Sequence, residues 1–380
     1  MTTRLLIDAL TIGYGGARTY LLDLLPRLAA YPLELHVLLS PAHAAEFQAN
    51  APKRVRWHFG PRPLANPFSR YGYQRYGLPR LAQELRADVL FVPGGLTGFR
   101  ATGDGAPKLV TVIQNMLPFE PVERRRYALR HYPKMRLRLW LLSRGLRRTL
   151  RRADRVIFIS EHSARRVLSR VPVLDHRIIP HGIPERFRHN GTDGAAVLAR
   201  HGLRRPYLLY VSILDPYKHQ DRILEGFERF MAETPRDLEM VFAGPVVGAN
   251  GRRIRAMAAQ ARSPVRCLDH VPPEDLPDLL RRAEALLFGS TCECCPFILL
   301  EYLAAGRPIV CSDKPPMPEL AGEGALYVPA LEPAAWAEAL HRLFGEPGLG
   351  EALAVRAQAR SRALDWESAA RRTYAALTEW

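Results

Sequence analysis

Two glutamates in the second half of the chain have a spacing suited to binding a sugar beside the N-terminus of a helix. Glu293 and Glu301 are eight residues apart. The pattern predicts a helix beginning near Pro296, so that Glu301 lies inside the helix and Glu293 in the loop before it. Both carboxylates can then point into one pocket, where sugar hydroxyls would satisfy them, because a buried carboxylate is costly unless it is hydrogen-bonded. The N–H groups of Phe297 and Ile298 would face a phosphate at the helix N-terminus.

Two further segments could bind phosphate, although each is also typical of an ordinary structural feature. Lys218 follows a strand-like run, and a lysine at the carboxyl end of a strand can neutralise a phosphate as a point charge. A lone lysine in such a loop is usually solvated. Gly15 and Gly16 precede the helical run Thr19–Leu28, and glycines let backbone N–H groups approach an anion at a helix N-terminus. An ordinary tight turn would have the same glycines.

The sequence gives little support for a metal site. The chain has no Asp-x-Asp pair, with which many sugar transferases hold a divalent ion on a diphosphate. Cys292 and Cys295 have the spacing of half a zinc site, but a second pair is missing from the sequence. We therefore expect no metal and no cofactor, and we expect helix N–H groups and Lys218 to stabilise the charge of a diphosphate.

Short runs rich in Val, Ile and Leu alternate with helical patterns twice along the chain, which predicts βαβ units and parallel sheets. The first set of predicted strands is Arg4–Ala9, Leu33–Leu39, Asp88–Val92, Lys108–Ile113 and Arg155–Ile159. The second set is Tyr207–Ser212, Leu238–Ala243, Val265–Leu268, Ala285–Phe288, Pro308–Cys311 and Ala325–Val328. We predict an α/β fold of two Rossmann-like domains facing across a cleft. The cleft is the expected site, because ligands bind outside the carboxyl ends of such strands.

A break in this alternation predicts the domain boundaries. Residues 1–184 would form the N-terminal domain, which ends at Pro180-His-Gly-Ile-Pro184. Residues 185–205 are polar and irregular, which is typical of a linker. Residues 206–365 would form the C-terminal domain, and residues 366–380 a separate helix.

Length and composition indicate a folded globular protein. The 380 residues suit two domains of ordinary size, and 47% of them are apolar against 24% charged. The chain has no uninterrupted apolar stretch of the roughly 18 residues that a membrane-spanning helix needs. The first residues run directly into a predicted strand, so we expect no signal peptide. Five cysteines do not form a disulfide framework in a chain of this size, which favours a reducing, cytoplasmic compartment.

The positive charge is concentrated in the first half of the chain. Residues 1–185 contain 30 Lys and Arg against 13 Asp and Glu, whereas residues 186–380 contain 24 against 25. The segment Arg124–Arg152 alone has 12 basic residues and no acidic one. This asymmetry indicates that the N-terminal half meets an anionic surface, either lipid or nucleic acid.

Residues 133–152 are predicted to form a basic amphipathic helix. One apolar stripe contains Met135, Leu139, Leu142, Leu146 and Leu150. The stripe is flanked by Trp140 and by Arg144, Arg147, Arg148, Arg151 and Arg152. Such a helix can lie in an anionic membrane interface, where each basic group contributes about 1 kcal/mol. A core-facing helix with a basic outer face is the alternative. We expect no nucleic-acid partner, because no helix-turn-helix, zinc-finger, KH or RNP-like signature accompanies the charge.

These motifs together resemble one known family. The segment from Glu293 to Glu301, with the Gly306-Arg-Pro308 sequence after it, resembles the glutamate–seven residues–glutamate motif of retaining GT-B glycosyltransferases, glycosyltransferase family 4. The likeness covers nearly the whole chain. It includes the end of the first domain at Phe158–Arg165 and the linker entry at Pro180–Pro184. It also includes the strand, lysine loop and helix at Tyr207–Phe227. Trp366–Leu377 resembles the tail helix of the family, which crosses back to the N-terminal domain.

The resemblance implies roles for individual residues. Glu301 would hold the ribose hydroxyls of a nucleotide-sugar, Glu293 would meet the donor sugar, and Lys218 would meet the diphosphate. Glu293, Lys218 and Asn115 would be the catalytic residues. The donor-binding residues would also include Gly15, Gly16, Ser212, His270, Val271, Phe297 and Ile298.

The chain departs from the family pattern at three places. Ile213 stands where the family commonly has an arginine of the diphosphate site, and Cys294-Cys295 replaces the usual Phe-Gly. Gln114-Asn115 replaces the His-Asp pair of many members. Both glutamates and the lysine are retained, which favours an active enzyme.

The resemblance implies a retaining hexosyltransferase. From the cysteine usage and the basic helix we expect it to be cytoplasmic and peripherally associated with the inner face of the plasma membrane. It would move a sugar from a nucleotide-sugar to a lipid-linked or oligosaccharide acceptor, in bacterial cell-surface polysaccharide or lipopolysaccharide assembly. We assign no general base, because the front-face mechanism proposed for such enzymes needs none. Two alternatives stay open: a GT-B-fold nucleotide-sugar epimerase, and a catalytically idle protein whose basic half binds anions or nucleic acid.

Overall fold

The computed structural model describes residues 2–12, 15–61, 66–100, 103, 105–127, 132–188 and 194–380. The chain forms two compact units. Unit 1 comprises Met1–Phe119, Lys134–Gly182 and Trp366–Trp380, and unit 2 comprises Glu120–Pro133 and Ile183–Asp365. The segment Glu120–Pro133 therefore groups with unit 2, although it lies inside the predicted N-terminal domain.

Unit 1 contains a parallel sheet of seven strands. In chain order they are β1 (Thr3–Asp8), β2 (Leu33–Leu39), β3 (Arg56–Phe59), β4 (Val89–Val92), β5 (Lys108–Ile113), β6 (Arg155–Phe158) and β7 (His176–Ile178). Their order across the sheet is β3-β2-β1-β4-β5-β6-β7. The five predicted strands occupy the centre, since their apolar runs are buried on both faces. The edge strands β3 and β7 were not predicted, because they are short and carry polar, partly exposed residues.

Unit 2 contains a parallel sheet of six strands, all of them predicted. They are β8 (Tyr207–Val211), β9 (Glu239–Ala243), β10 (Val265–Leu268), β11 (Ala285–Phe288), β12 (Ile309–Ser312) and β13 (Leu326–Val328). The sheet order is β10-β9-β8-β11-β12-β13. The neighbours β8 and β11 pair in parallel, with Leu208 opposite Ala285. The loops that follow these two strands therefore leave the same edge of the sheet. Two parallel α/β sheets confirm the predicted fold class.

The helices follow the strands as βαβ units require. They are α1 (Gly16–Leu28), α2 (Ala44–Asn50), α3 (Pro67–Glu84), α4 (Pro121–Arg126), α5 (Pro133–Leu150), α6 (Glu161–Leu168), α7 (Gly194–Arg200), α8 (Gln220–Glu233), α9 (Gly248–Gln260), α10 (Leu276–Arg282), α11 (Phe297–Ala304), α12 (Met317–Ala321), α13 (Pro333–Gly345), α14 (Leu349–Ser361) and α15 (Trp366–Thr378). Within residues 185–205, expected to be irregular, α7 packs against α10. Gly194 and Val197 of α7 are buried, so one face of this helix belongs to the packed interior of unit 2.

Part of the apolar stripe of α5 is buried in unit 1, as in the alternative of a core-facing helix, and contact of this helix with a membrane stays a prediction. Leu139, Leu146 and Leu150 are buried. The outward face carries a different apolar group, because Leu137 and Trp140 are 60% and 51% exposed. The basic residues surround this group, and the Arg144 guanidinium lies 5.0 Å from the centre of the Trp140 ring. None of the described helices is both long and apolar enough to cross a membrane.

The C-terminal helix α15 packs on α1 within unit 1, as predicted for the tail. The Tyr31 and Tyr374 rings stack with their centres 4.4 Å apart. The Arg155 guanidinium donates a 2.8 Å hydrogen bond to the carbonyl oxygen of Ala376. Next to this helix, His181 is buried between Tyr20 and Trp366, with ring centres 5.1 and 5.9 Å away. Burial lowers the pKa of His181 to about 3.

Replacing His181 by Phe is expected to make the protein less sensitive to acid. The unfolded chain binds a proton at His181 below its ordinary pKa of about 6.5, whereas the folded chain does so only near pH 3. This group therefore lowers the free energy of unfolding as the pH falls through that window, by about 2 to 3 kcal/mol at pH 4.5. Phe keeps the ring contacts with Tyr20 and Trp366 but takes up no proton.

Urea unfolding of wild type and His181→Phe at pH 7 and pH 4.5 measures this difference. His43→Phe serves as the control, because His43 lies at a less buried position of the same unit. An equal loss of stability on acidification in wild type and His181→Phe would contradict the prediction.

Candidate active site

The loop between β8 and α8 positions Lys218. After β8 the chain forms a short 3-10 turn at Pro216–Lys218, and α8 begins at Gln220. The Tyr210 hydroxyl donates a 2.8 Å hydrogen bond to the Lys218 carbonyl oxygen, which fixes the backbone of the turn against the end of β8. The Gln220 amide donates to the Ser212 hydroxyl at 2.8 Å and closes the loop from the other side.

The loop between β11 and α11 positions Glu293. Ser290 is fully buried at the start of this loop, and its hydroxyl donates a 2.5 Å hydrogen bond to Glu293 Oε1. Gly289, next to it, has no room for a side chain, since a Cβ there would lie 3.1 Å from the Lys218 carbonyl oxygen. The two loops are therefore in direct contact at this point.

Lys218 and Glu293 form an ion pair between the two loops. Lys218 Nζ lies 2.5 Å from Glu293 Oε1, and the two side chains are only 10% and 14% exposed. The ammonium also lies 5.3 Å from the ring centres of Tyr217 and Phe288. Because water screens this pair little, the carboxylate holds the ammonium firmly in one orientation at the carboxyl edge of the sheet.

Backbone and side-chain hydrogen bonds hold the loops together beside this ion pair. The N–H of Thr291 donates to the Tyr217 carbonyl oxygen at 2.9 Å. Thr291 Oγ1 lies 2.9 Å from His219 Nε2. These contacts join residues 72 or more apart in sequence, so the distance between Lys218 and Glu293 is set by both loops together.

His219, which contacts Thr291, has an unusual backbone conformation. Its φ of 53° lies in the left-handed region, which only a few per cent of residues other than Gly adopt, with Asn, Asp and His the most frequent among them. The side chain is buried, and burial lowers the pKa of His219 to about 4, with the positive charge of Arg126 adding to the decrease. His219 is therefore neutral near pH 7 and can hydrogen-bond to Thr291 without adding charge.

The surroundings of the ion pair are aromatic and apolar. Tyr127, at the end of α4, lies near Asp215 and Cys292, and α4 packs against the 3-10 turn of Lys218. Burial raises the pKa of the Asp215 carboxyl, while the charge of Lys218 opposes that increase. Burial also raises the pKa of the Cys292 and Cys294 thiols well above their usual value, so they are not activated as nucleophiles.

Glu301 and the start of α11 lie as predicted. Phe297 is the first residue of α11 and Ile298 the second, and Pro296 precedes them. The positive end of the helix dipole is therefore directly after the loop that carries Glu293. Glu301 lies on the same helix and is buried. The structure thus brings Lys218, Glu293 and the α11 N-terminus to neighbouring loops of one unit.

Other predicted residues lie elsewhere or have structural contacts. His270 is exposed and Val271 partly exposed in the loop after β10. Asn115 is exposed in unit 1, where its side-chain oxygen accepts a 3.1 Å hydrogen bond from the Leu117 N–H. Gly15 has a φ of 73° directly before α1, which begins at Gly16, so the predicted glycine turn is present. The ligand-binding roles of these five residues remain predictions.

All three departures from the family pattern lie among the described residues. The Gln114 side-chain amide donates a 2.8 Å hydrogen bond to the Pro93 carbonyl oxygen. Ile213 is 44% exposed, so the missing arginine leaves an apolar surface beside the lysine loop. Cys294 and Cys295 are buried in the loop of Glu293, where thiols fill space next to Cys292. Among the described residues, no group of three or more His, Cys, Asp or Glu side chains could hold a metal ion. The expectation of a reaction without metal remains a prediction.

Sequence reasoning missed the contacts that hold the loops in place. His219, Thr291, Ser290 and Tyr127 have no recognisable spacing relative to Lys218 or Glu293. Their roles arise from a left-handed residue and from contacts across the sheet edge, and single-sequence patterns report neither.

Two family models match the chain in successive segments. The model described as "Glycosyltransferase Family 4" matches residues 14–187, and the model described as "Glycosyl transferases group 1" matches residues 205–346. The second match contains Lys218, Glu293 and Glu301. Both matches agree with the family resemblance of the sequence motifs.

Characterised relatives and solved structures include glycosyltransferases. The D-inositol 3-phosphate glycosyltransferase of Streptomyces bingchenggensis (strain BCW-1) is 30% identical over 238 residues, covering 58% of this chain and 52% of that protein. O-antigen chain mannosyltransferase B of Escherichia coli is 22% identical over 248 residues, covering 64% and 65%. The chain thus spans between half and two thirds of these relatives. The structure of Anabaena Alr3699/HepE in complex with UDP-glucose has a TM-score of 0.74 at 16% identity, covering 99% and 100% of the two chains, which shows a shared fold.

Removing one partner of the Lys218–Glu293 pair is expected to destabilise unit 2 more than removing both. Lys218→Met leaves a buried carboxylate without its ammonium, which costs about 3 to 5 kcal/mol. The double variant Lys218→Met/Glu293→Gln should recover much of that loss, because no uncompensated charge remains. Urea unfolding of the two single variants and the double variant gives the coupling energy.

The exposed pair Lys314–Asp313 is the matched control, with side chains 46% and 38% exposed. Lys314→Met should change the free energy of unfolding by less than about 1 kcal/mol. Additive effects of the two substitutions at Lys218 and Glu293 would contradict a coupled buried pair.

Proposed function

Because the chain belongs to the group 1 glycosyltransferases, we propose that it transfers a sugar from a nucleotide-sugar to a glycan or lipid-linked acceptor with retention of anomeric configuration. The observation that carries the proposal is the buried pair of Lys218 and Glu293 at the carboxyl ends of β8 and β11. A phosphate-binding cation and a sugar-binding carboxylate stand side by side, as cleavage of a bond between sugar and diphosphate requires.

Lys218 and the N-terminus of α11 would bind the donor diphosphate. As the bond between sugar and diphosphate breaks, negative charge grows on the leaving phosphate, and a fixed ammonium and helix dipole stabilise that charge without reorganising. Donor binding requires Lys218 to exchange part of its contact with Glu293 for a phosphate oxygen. The Glu293 carboxylate is then available to accept hydrogen bonds from the donor sugar, while Glu301 holds the ribose hydroxyls.

The reaction would need neither a metal nor a dedicated general base. Lys218 and helix N–H groups supply positive charge to the diphosphate, and the departing phosphate oxygen can take the proton of the attacking acceptor on the same face of the sugar. Attack from that face retains the anomeric configuration. The protein then contributes orientation and charge stabilisation rather than a covalent intermediate.

The similar proteins suggest which substrates to test first. UDP is the first nucleotide to offer, because the Alr3699/HepE structure is a complex with UDP-glucose. Hexoses are the first sugars, since O-antigen chain mannosyltransferase B is among the relatives. The same relative supports a role in bacterial cell-surface polysaccharide or lipopolysaccharide assembly.

The outer face of α5 would contact an anionic membrane on which a lipid-linked acceptor lies. Leu137 and Trp140 are exposed together, and arginines surround them. This combination of an interfacial aromatic ring, exposed apolar side chains and flanking cations is typical of helices that lie on membranes. The protein would then be peripheral to the inner face of the plasma membrane.

Calorimetry with UDP-, GDP-, TDP- and CMP-sugars tests the donor assignment. Wild type is expected to bind sugars of one nucleotide, and Glu301→Ala to bind them at least about tenfold more weakly, because hydrogen bonds to a charged carboxylate are lost. Glu323→Ala, an exposed glutamate of the same unit, should bind like wild type. Equal donor affinity in Glu301→Ala and wild type would remove Glu301 from the site.

Reversing four arginines of the basic helix region to Glu is expected to release the protein from anionic liposomes. The positions are Arg144, Arg147, Arg148 and Arg151. Each basic group contributes about 1 kcal/mol near an anionic surface, so reversal weakens binding by several orders of magnitude. Sedimentation with liposomes that contain phosphatidylglycerol measures the bound fraction.

A control with the same change in net charge separates local contact from overall charge. It reverses four exposed arginines of unit 2, namely Arg229, Arg252, Arg262 and Arg356. The control should stay bound. Retention of the α5 variant in the liposome pellet would return α5 to the role of a core-facing helix with a basic outer face.

A further inference from the structure

Unit 2 contains a second concave site beside the Lys218–Glu293 pair. A cavity of about 810 Å³ is lined by residues of α4, α8 and α9 and of the loops next to them. Neither Lys218 nor Glu293 lines it. The volume is sufficient for one or two sugar rings, since ligand pockets usually measure about 300 to 1,000 Å³.

Three arginines from three different helices line this cavity. Arg126 comes from α4, Arg222 from α8 and Arg253 from α9. The only carboxylate among the described lining residues is that of Asp221. Glu123 and Glu225 contact Arg126 and Arg222 from outside the cavity.

The arginines keep hydrogen-bonding capacity for a ligand. Arg126 donates through Nε to Glu123 at 2.6 Å, and Arg222 donates through one terminal nitrogen to Glu225 at 3.0 Å. A guanidinium carries five N–H donors in a fork that matches phosphate and carboxylate oxygens, which is more than these contacts use. Asp221 orients Arg253 through a 2.9 Å ion pair.

Other parts of the lining suit a sugar rather than a bare anion. The Tyr132 hydroxyl accepts a 2.9 Å hydrogen bond from the Asn250 N–H, which leaves the phenolic proton to be donated to a ligand oxygen. Leu331 is 44% exposed, and Pro216 adds a second apolar contact. Donors beside apolar surface match the hydroxyls and C–H faces of a carbohydrate.

His219 connects the cavity to the reaction site. It lines the cavity, and it contacts Thr291 two residues before Glu293 in the same loop. Lys218 precedes it directly. A ligand in the cavity therefore lies next to the loops that would hold the donor.

We infer that this cavity binds the anionic group of the acceptor, a phosphorylated or carboxylated sugar held by Arg126, Arg222 and Arg253. The assignment of this cavity as an acceptor site rests on the proposed function. The binding of a sugar anion in the cavity does not depend on the proposed function. Arg126 and Tyr132 belong to the N-terminal half of the sequence, which was expected to bind the acceptor, although the structure groups them with unit 2.

Direct binding of three simple probes tests the inference. Glucose 6-phosphate, glucuronate and glucose are titrated into ¹⁵N-labelled protein and followed by NMR and calorimetry. At least one of the two charged sugars should bind, glucose should not, and the two charged probes distinguish a phosphate site from a carboxylate site. Arg222→Gln/Arg253→Gln is expected to weaken binding about tenfold or more, because charge-assisted hydrogen bonds are lost.

Two further variants and one competition experiment keep the result specific. Arg126→Gln leaves the Arg222–Asp221–Arg253 cluster intact and should still weaken binding, which guards against a folding defect of the double variant. Arg229→Gln/Arg252→Gln, at exposed positions outside the cavity lining, should bind like wild type. The sugar anion should also stay bound in the presence of excess UDP, which excludes binding at the diphosphate site.

The outcomes separate this inference from the proposed function. Equal affinity for the charged sugars in wild type and in both arginine variants would overturn the inference, as would no binding of either charged sugar at millimolar concentration. Wild type that binds the charged sugars but none of the nucleotide-sugars would contradict the proposed function and leave the sugar-anion site intact.

Discussion

The candidate site depends on one buried ion pair, between the Lys218 ammonium and the Glu293 carboxylate. Two charges with little access to water are stable only when they contact each other and further hydrogen-bond partners, and here the Ser290 hydroxyl provides one. Parallel pairing of β8 and β11 brings the two loops to one edge of the sheet. In the proposed reaction a diphosphate would meet a cation that is already desolvated and oriented, and Lys218 would exchange part of its contact with Glu293 for a phosphate oxygen.

The contact between the loops explains how a departure from the family pattern can be tolerated. Ile213 removes a positive charge from the lysine loop. The loop is nevertheless fixed by Tyr210, by Gln220 and by the contact of His219 with Thr291. Positive charge is present on the other side of His219, where three arginines line a separate cavity. We propose that an anionic donor and an anionic acceptor group bind at these neighbouring places of unit 2.

Most strands could be predicted from the sequence, because a strand buried on both faces needs a continuous apolar run. The two strands that were missed, β3 and β7, lie at the edges of their sheet and contain polar residues. The glutamates and Lys218 could be found because their chemistry and order along the chain are distinctive. The contacts of His219 and Tyr127 could not, since they depend on a left-handed backbone and on packing of a distant segment. The periodicity of the sequence predicted the apolar stripe of α5. Periodicity does not show what packs against such a stripe, and Leu139, Leu146 and Leu150 of this stripe are buried in the protein.

A crystal structure with a bound, non-hydrolysable nucleotide-sugar would show directly whether the Lys218–Glu293 pair binds the donor. We expect Lys218 Nζ to lie within hydrogen-bond distance of a diphosphate oxygen, Glu293 to face the donor sugar, and the His219–Thr291 contact to be kept. A nucleotide-sugar bound elsewhere, with the Lys218–Glu293 pair unchanged and without contact to the donor, would contradict this expectation.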